Sequence, residues 1–224
     1  MFIVAGPSGG GKSSLFSVYQ VGDCDAFNVD DRAAALYGRS LGSNRPVYTD
    51  IPPSIRELAR SAMRDFIEEH LESRRSFTFE TTLRDVTYEQ TRRATANGFL
   101  VQMAFIAGGD VEEHIARVSN RAEKGGHSAP PDSIREIYSR AMRHLVDALE
   151  QNRDGGIELL SVYHNERAAG TPSRPQLIVH LLRGRPIAIA PTAPAWFHEA
   201  TLGTPFEFAK LQALASAAGG SSLL

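Results

Sequence analysis

The chain has 224 residues, a formal net charge of −2 and 22% charged residues. That length suits one elaborated domain better than two full ones, and a hydrophobic fraction of 42% supplies a sizeable core, which excludes wholesale disorder. The balanced charge gives no general reason to expect a nucleic acid or a membrane surface as partner, and the single cysteine, Cys24, excludes an intramolecular disulfide framework and a cysteine-cluster metal site.

A lone cysteine fits a reducing compartment. Only Lys12, Lys124 and Lys210 are lysines, and the other basic residues are arginines, a skew that carries no weight alone. The apolar start Phe2–Ala5 is four residues long, lacks a basic flank and runs into glycines. The stretch Leu177–Ile189 is broken by His180, Arg183 and Arg185, so it cannot span a bilayer. A cytoplasmic protein is expected.

Strand-like and helix-like segments alternate, the signal for a parallel sheet with crossover helices. Phe2–Ala5 reads as a short buried strand stopped by Gly6-Pro7, and a helix is predicted from Lys12 to about Tyr19. Ala26–Val29 is a second strand, ending in the polar run Asp30-Asp31-Arg32. Residues 38–53, with two glycines and three prolines, read as a long loop. Ser54 and Glu57 have the spacing of a capping box, and Ile55, Leu58, Ala59, Ala62, Phe66, Ile67 and Leu71 then repeat as one buried helical face. Ser76–Phe79 is a strand that delivers Glu80-Thr81-Thr82, and Asp85 is placed to cap a helix ending at Asn97-Gly98. Phe99–Ala107 is the fourth strand, and Asp110 with Glu113 opens another capped helix. A helix over about 133–151 follows Pro130-Pro131, and Ile157–Tyr163 reads as the fifth strand. Gly184-Arg185-Pro186 marks a turn between two apolar stretches, an added hairpin, and residues 216–224 read as a frayed tail. The expected architecture is therefore an α/β three-layer sandwich. It has a mainly parallel sheet of about five strands in a core of about 1–165, followed by an extension over 166–224.

The run Gly6-Pro7-Ser8-Gly9-Gly10-Gly11-Lys12-Ser13 fits G-x-x-x-x-G-K-[ST] and lies between a predicted strand and a predicted helix. Glycines there let backbone N–H groups converge on phosphate oxygens at a helix N-terminus. Residues Gly6 to Ser14 are the candidate ATP-binding set. Lys12 is placed to reach the β- and γ-phosphates, and the Ser13 hydroxyl to ligate Mg²⁺. In an open parallel sheet the working groups lie beyond the carboxyl ends of the strands, which selects Asn28, Asp30 and Asp31 after one strand and Glu80, Thr81 and Thr82 after another. A carboxylate there can accept a hydroxyl proton, although Asp30 and Asp31 also suit a helix cap. Arg117 and Arg121, four apart on one helix face, can stabilise charge on a transferring phosphoryl group. Their competing reading is a solvated face on which Glu113 pairs with Arg117. Gly125-Gly126-His127 then suits a lid hinge, with His127 read as a loop histidine and not a metal ligand.

Taken together, the P-loop, Asn28-Val29-Asp30, Phe79-Glu80-Thr81-Thr82-Leu83-Arg84 and Arg117-Val118…Arg121…Gly125-Gly126-His127…Pro130 resemble the zeta-toxin family of P-loop kinases, in the style of its short chromosomal branch. The resemblance covers about residues 1–165. It implies transfer of the ATP γ-phosphate to the 3′-hydroxyl of the amino sugar in UDP-N-acetylglucosamine, and a small antitoxin protein as partner. It further implies Asp30 as general base and Arg117 and Arg121 on the phosphates. Asn28, Glu80, Thr81, Thr82 and Arg84 would then bind the acceptor. His164-Asn165 departs from the Asp-Asn pair that relatives tend to have, and the stretch after Arg167 has no counterpart. The competing readings are another P-loop kinase, such as a guanylate-kinase-like protein, and a non-catalytic ATP-binding regulator.

Overall fold

The computed structural model describes residues 1–15, 17–20, 24–123, 125–126, 128–166 and 174–217. The strands β1 (Phe2–Ala5), β2 (Asp25–Phe27), β3 (Phe77–Thr81), β4 (Gln102–Ala107), β5 (Leu159–Glu166), β6 (Arg174–Leu182) and β7 (Arg185–Ile189) form one sheet in the order β2-β3-β1-β4-β5-β6-β7. The first five run parallel, and β6 and β7 add an antiparallel hairpin to the β5 edge. The helices are α1 (Lys12–Leu15), α2 (Val29–Ser40), α3 (Pro53–Ser73), α4 (Asp85–Ala96), α5 (Val111–Glu123), α6 (Pro131–Asp154), α7 (Ala195–Thr201) and α8 (Phe208–Ala217). Among the described residues no helix is long and apolar enough to cross a membrane.

Strand alternation splits the core unequally. Ile3, Phe77, Phe79, Met103 and Phe105 point to one face, where α3, α4 and α6 cover them in the main core. Val4, Ala104 and Ile106 point to the other, into a small cluster completed by Val18. Both faces of the central strands are apolar, as a parallel sheet requires.

Several boundaries differ from the sequence expectation. The helix after the P-loop ends at Leu15, and Val18–Gln20 forms a 3₁₀ turn. There the buried Thr78 hydroxyl donates to the Val18 carbonyl at 2.9 Å, which ties the turn to β3. Asp30 and Asp31 belong to the first turn of α2, which Asn28 caps, and α2 itself runs into the predicted loop as far as Ser40. The Ser54/Glu57 capping box does not form. Pro52 is the N-cap of α3 without a side-chain bond, since Pro53 brings a preset φ and no orphan N–H. Glu57 instead pairs with Arg60 at 3.1 Å and Arg64 at 3.2 Å. Leu58 is 57% exposed, and the buried face of α3 continues through His70, whose Nε2 meets Asp25 Oδ2 at 2.9 Å. Asp85 likewise does not cap α4; Arg84 holds the N-cap position without a side-chain bond. Asn97 and Gly98 end α4 as expected.

The C-terminal stretch adds two helices to the hairpin. The turn of the hairpin lies at Arg183-Gly184, and α8 reaches Ala217; the rest of the predicted tail lies outside the described residues. Trp196, Phe197, Phe208 and Leu211 are buried in the main core. Asn152, fully buried near the end of α6, fixes the hairpin. Its Nδ2 donates to the carbonyls of Ile157 and Glu158 at 3.0 and 3.2 Å, and its Oδ1 accepts from the Gly184 N–H at 2.8 Å. Asn152→Ala leaves these backbone groups unpaired, and we expect a loss of about 2 kcal/mol in urea unfolding. An unchanged midpoint would show that the hairpin does not depend on this side chain.

Candidate active site

The loop between β1 and α1 wraps around its own lysine. Lys12 is 6% exposed, and its Nζ donates to the carbonyls of Gly6 at 2.9 Å and Pro7 at 3.0 Å. Gly11 has φ +94°, which strains any L residue, and a Cβ there would stand 2.0 Å from Asn165 Nδ2 and displace that side chain. Because β1 and β3 pair in register, Val4 opposite Glu80 and Ala5 opposite Thr81, the end of β3 arrives beside the mouth of the loop.

Glu80 is the junction of this edge. Its Oε1 lies 3.5 Å from Lys12 Nζ, and its Oε2 accepts from the Ser13 hydroxyl at 3.2 Å and from Asn28 Nδ2 at 3.1 Å. Asn28 uses its other end to cap α2, Oδ1 accepting from the N–H groups of Asp30 and Asp31 at 2.9 and 3.3 Å. The two aspartates then separate. Asp31 accepts from the hydroxyls of Tyr19 and Tyr48, each at 3.0 Å, while Asp30 is exposed and lines the neighbouring cleft. Burial, and after it the Asp31 carboxylate, raises both tyrosine hydroxyls above the usual phenol value, so each remains a donor.

After β3 the chain turns sharply. Leu83, fully buried, has φ +60°, and the Thr81 hydroxyl accepts its N–H at 3.1 Å. This left-handed leucine turns Thr82 and Arg84 into the cleft wall. The cleft has a volume of about 540 Å³. Its opposite wall is α3, whose Arg56, Arg60 and Arg64 recur every fourth residue and so share one face. Burial, then the nearby Arg140 and Arg60 guanidiniums, lowers Arg84 from the ordinary arginine value. Cationic charge is thus concentrated along this cleft.

Behind the loop stands a second set of contacts. Asn165 at the end of β5 is 2% exposed, and its Nδ2 donates to the Gly10 carbonyl at 2.9 Å. Arg117 donates through Nη2 to Glu113 Oε2 at 3.0 Å and to the Asn165 carbonyl at 3.3 Å. Among the described residues Arg117 Nη1 and Asn165 Oδ1 are buried without a protein partner, a donor and an acceptor beside the phosphate-type loop that a bound nucleotide can satisfy. With the glycine cradle and the Ser13 hydroxyl, these groups fit a Mg–nucleotide. His164 turns the other way, where its Nδ1 accepts from Trp196 Nε1 at 3.1 Å.

Of the residues singled out in the sequence, Gly6 to Ser13, Asn28, Asp30, Glu80, Thr81, Thr82 and Arg84 gather at one sheet edge. The Ser14 side chain, Lys124 and His127 lie outside the described residues. Arg117 packs behind the loop, whereas Arg121 is exposed, packs against Gly126 and does not line the cleft. Sequence reading missed His114. This buried histidine donates from Nδ1 to the Ser8 carbonyl at 2.8 Å and accepts the Gly108 N–H on Nε2 at 3.3 Å. Burial is the main reason its pKa falls to about 4, so it stays neutral and bridges the P-loop to the end of β4. The arginine face of α3 is legible in the sequence as a spacing of four.

No family model matches the chain, and no curated protein does. Among solved structures it is similar to AvrRxo1-ORF1:AvrRxo1-ORF2 with sulphate ions and to the same complex with ATP. In each the identity is 14% and the TM-score 0.61, over 83% of this chain and 59% of the other. The chain thus spans about three fifths of those proteins. It is also similar to the PezAT chromosomal toxin–antitoxin system of Streptococcus pneumoniae, at 17% identity and TM-score 0.51, over 98% of this chain and 86% of that one. The chain shares with these structures its mainly parallel α/β fold.

His114 makes the loop's geometry testable by pH. The folded-state pKa lies below the unfolded one, so its contribution is complete above about pH 6.5 and is lost as pH falls toward 4. We expect a loss on the order of 3 kcal/mol over that window, absent in His114→Gln, which keeps a donor and an acceptor but does not titrate. Thermal unfolding of both proteins from pH 4 to 7 measures it, and parallel curves would remove His114 from the account.

Proposed function

We propose that the chain is a Mg²⁺-dependent, ATP-using kinase that phosphorylates a hydroxyl of a nucleotide sugar, UDP-N-acetylglucosamine or a close relative. In this reading it acts in the cytoplasm as the toxin of a toxin–antitoxin pair, with a small antitoxin protein as partner. The observation that carries the reading is the Glu80 carboxylate. It touches Lys12 and Ser13 of the loop on one side and Asn28 at the cleft on the other, and so joins a donor site to an acceptor site. The arginine wall supports an acceptor that bears phosphate, since planar forks match phosphate oxygens. The ATP complex and the toxin–antitoxin assemblies among the similar structures support the donor and the partner.

Asp30 takes the acceptor proton, because Asp31 is occupied by two tyrosine hydroxyls and Asp30 is not. The acceptor oxygen forms a bond to the γ-phosphorus, the bond from that phosphorus to the ADP oxygen breaks, and the hydroxyl proton passes to Asp30. Lys12 leaves its two carbonyls to hold the β- and γ-phosphates, with Arg117 Nη1 as a further donor. A Mg²⁺ ion held by Ser13 would supply charge neutralisation on the donor phosphates. Thr82 and Arg84 orient the acceptor in the cleft.

Two variants separate the roles. Asp30→Asn should lower the single-turnover rate by about 10²–10⁴-fold with acceptor Kd nearly unchanged, because only the proton acceptor is lost. Glu80→Gln should weaken both donor and acceptor binding in calorimetry, because its charge holds Lys12 as well as Asn28. A parental rate in Asp30→Asn would place the base elsewhere.

A further inference from the structure

Thr87 and Gln90 stand three residues apart on α4, on one face, and both line the cleft. Thr87 is 2% exposed and Gln90 8%. Among the described residues neither side chain makes a hydrogen bond, yet neither is sealed off, so their polar atoms open onto the cleft. Polar groups buried this deeply are normally satisfied, so an unpaired amide and hydroxyl side by side mark a ligand's place. Met63 of α3 and Ile137 of α6 supply apolar surface to the same cleft.

We propose that this end of the cleft is a base-recognition subsite. A heterocyclic base of the acceptor lies against Met63 and Ile137 and presents its hydrogen-bonding edge to the Gln90 carboxamide and the Thr87 hydroxyl. The assignment rests on the nucleotide-sugar reading above. A carboxamide offers a donor and an acceptor in one plane, the pattern that an imide edge complements. Order along the cleft agrees. Asp30, Glu80 and Thr82 stand at the strand edge, the arginines line the wall, and α4 leads away from that edge at about 1.5 Å per residue. In a nucleotide sugar the phosphates likewise separate the sugar from the base.

The test is calorimetric titration of the parent, Gln90→Leu, Gln90→Glu and Thr87→Val, each saturated with Mg²⁺ and a non-hydrolysable ATP analogue. Three probes are compared: UDP-N-acetylglucosamine; UDP-glucose, which lacks the acetamido group; and the abasic analogue of UDP-glucose, in which hydrogen replaces the uracil while the ribose and both phosphates remain. Gln90→Leu should weaken both UDP-sugars by about tenfold while leaving the base-free probe and the ATP analogue at parental affinity. Thr87→Val should show the same pattern with a smaller loss, and Gln90→Glu, which keeps the shape, guards against a packing defect in the leucine variant. Equal losses on all three probes would assign Gln90 to the sugar or phosphate and overturn the proposal, as would no loss on any. A parent that binds none of the three would overturn the nucleotide-sugar reading and the subsite with it.

Discussion

Lys12 and Glu80 face each other across the paired ends of β1 and β3, and the geometry of the site follows from that contact. A lysine and a glutamate this far from water are tolerable only when every remaining donor and acceptor is used. Here Lys12 also bonds two loop carbonyls, and Glu80 also bonds Ser13 and Asn28. The carboxylate therefore fixes the P-loop, the start of α2 and the end of β3 relative to one another. Asn28 extends the chain of constraint by capping α2, which in turn decides which of two adjacent aspartates faces the cleft.

The loop is held from behind as firmly as from the front. His114 on α5 and Asn165 on β5 each bond a loop carbonyl, of Ser8 and Gly10 respectively. Their side chains satisfy loop carbonyls from behind, which leaves the loop N–H groups free for phosphate oxygens on the other side. The C-terminal extension belongs to this support. The hairpin pairs along β5, and Trp196 holds His164 next to Asn165, so residues far from the motif in sequence steady one of its contacts.

The cleft divides by chemistry. Acidic groups gather at the sheet edge, guanidiniums along α3 and at Arg84, and neutral polar groups against apolar side chains along α4. A ligand bearing hydroxyls, phosphates and a ring in that order would meet a matching environment at each part, and its anion would offset the repulsion that Arg140 and Arg60 exert on Arg84.

Much of this was legible in the sequence because its determinants are local. A glycine-rich run between an apolar strand and a helix specifies a P-loop by backbone conformation and side-chain absence alone. The alternation of strands and helices specifies a parallel sheet whose strand ends carry Asn28, Asp30 and Glu80. Helix starts differ from the expectation where proline replaces a side-chain cap, at Pro52-Pro53. What only the tertiary structure decided are the long-range pairings. Asp31 rather than Asp30 is occupied because Tyr48 returns to it from a loop, and His114 is neutral because strand ends and helices bury it. The arginines of α3 become one wall of a cleft because Leu83 turns the opposite wall toward them. Sequence sets which groups are present and how neighbours along the chain are spaced; burial and contact across the sheet set which of them are left free to react.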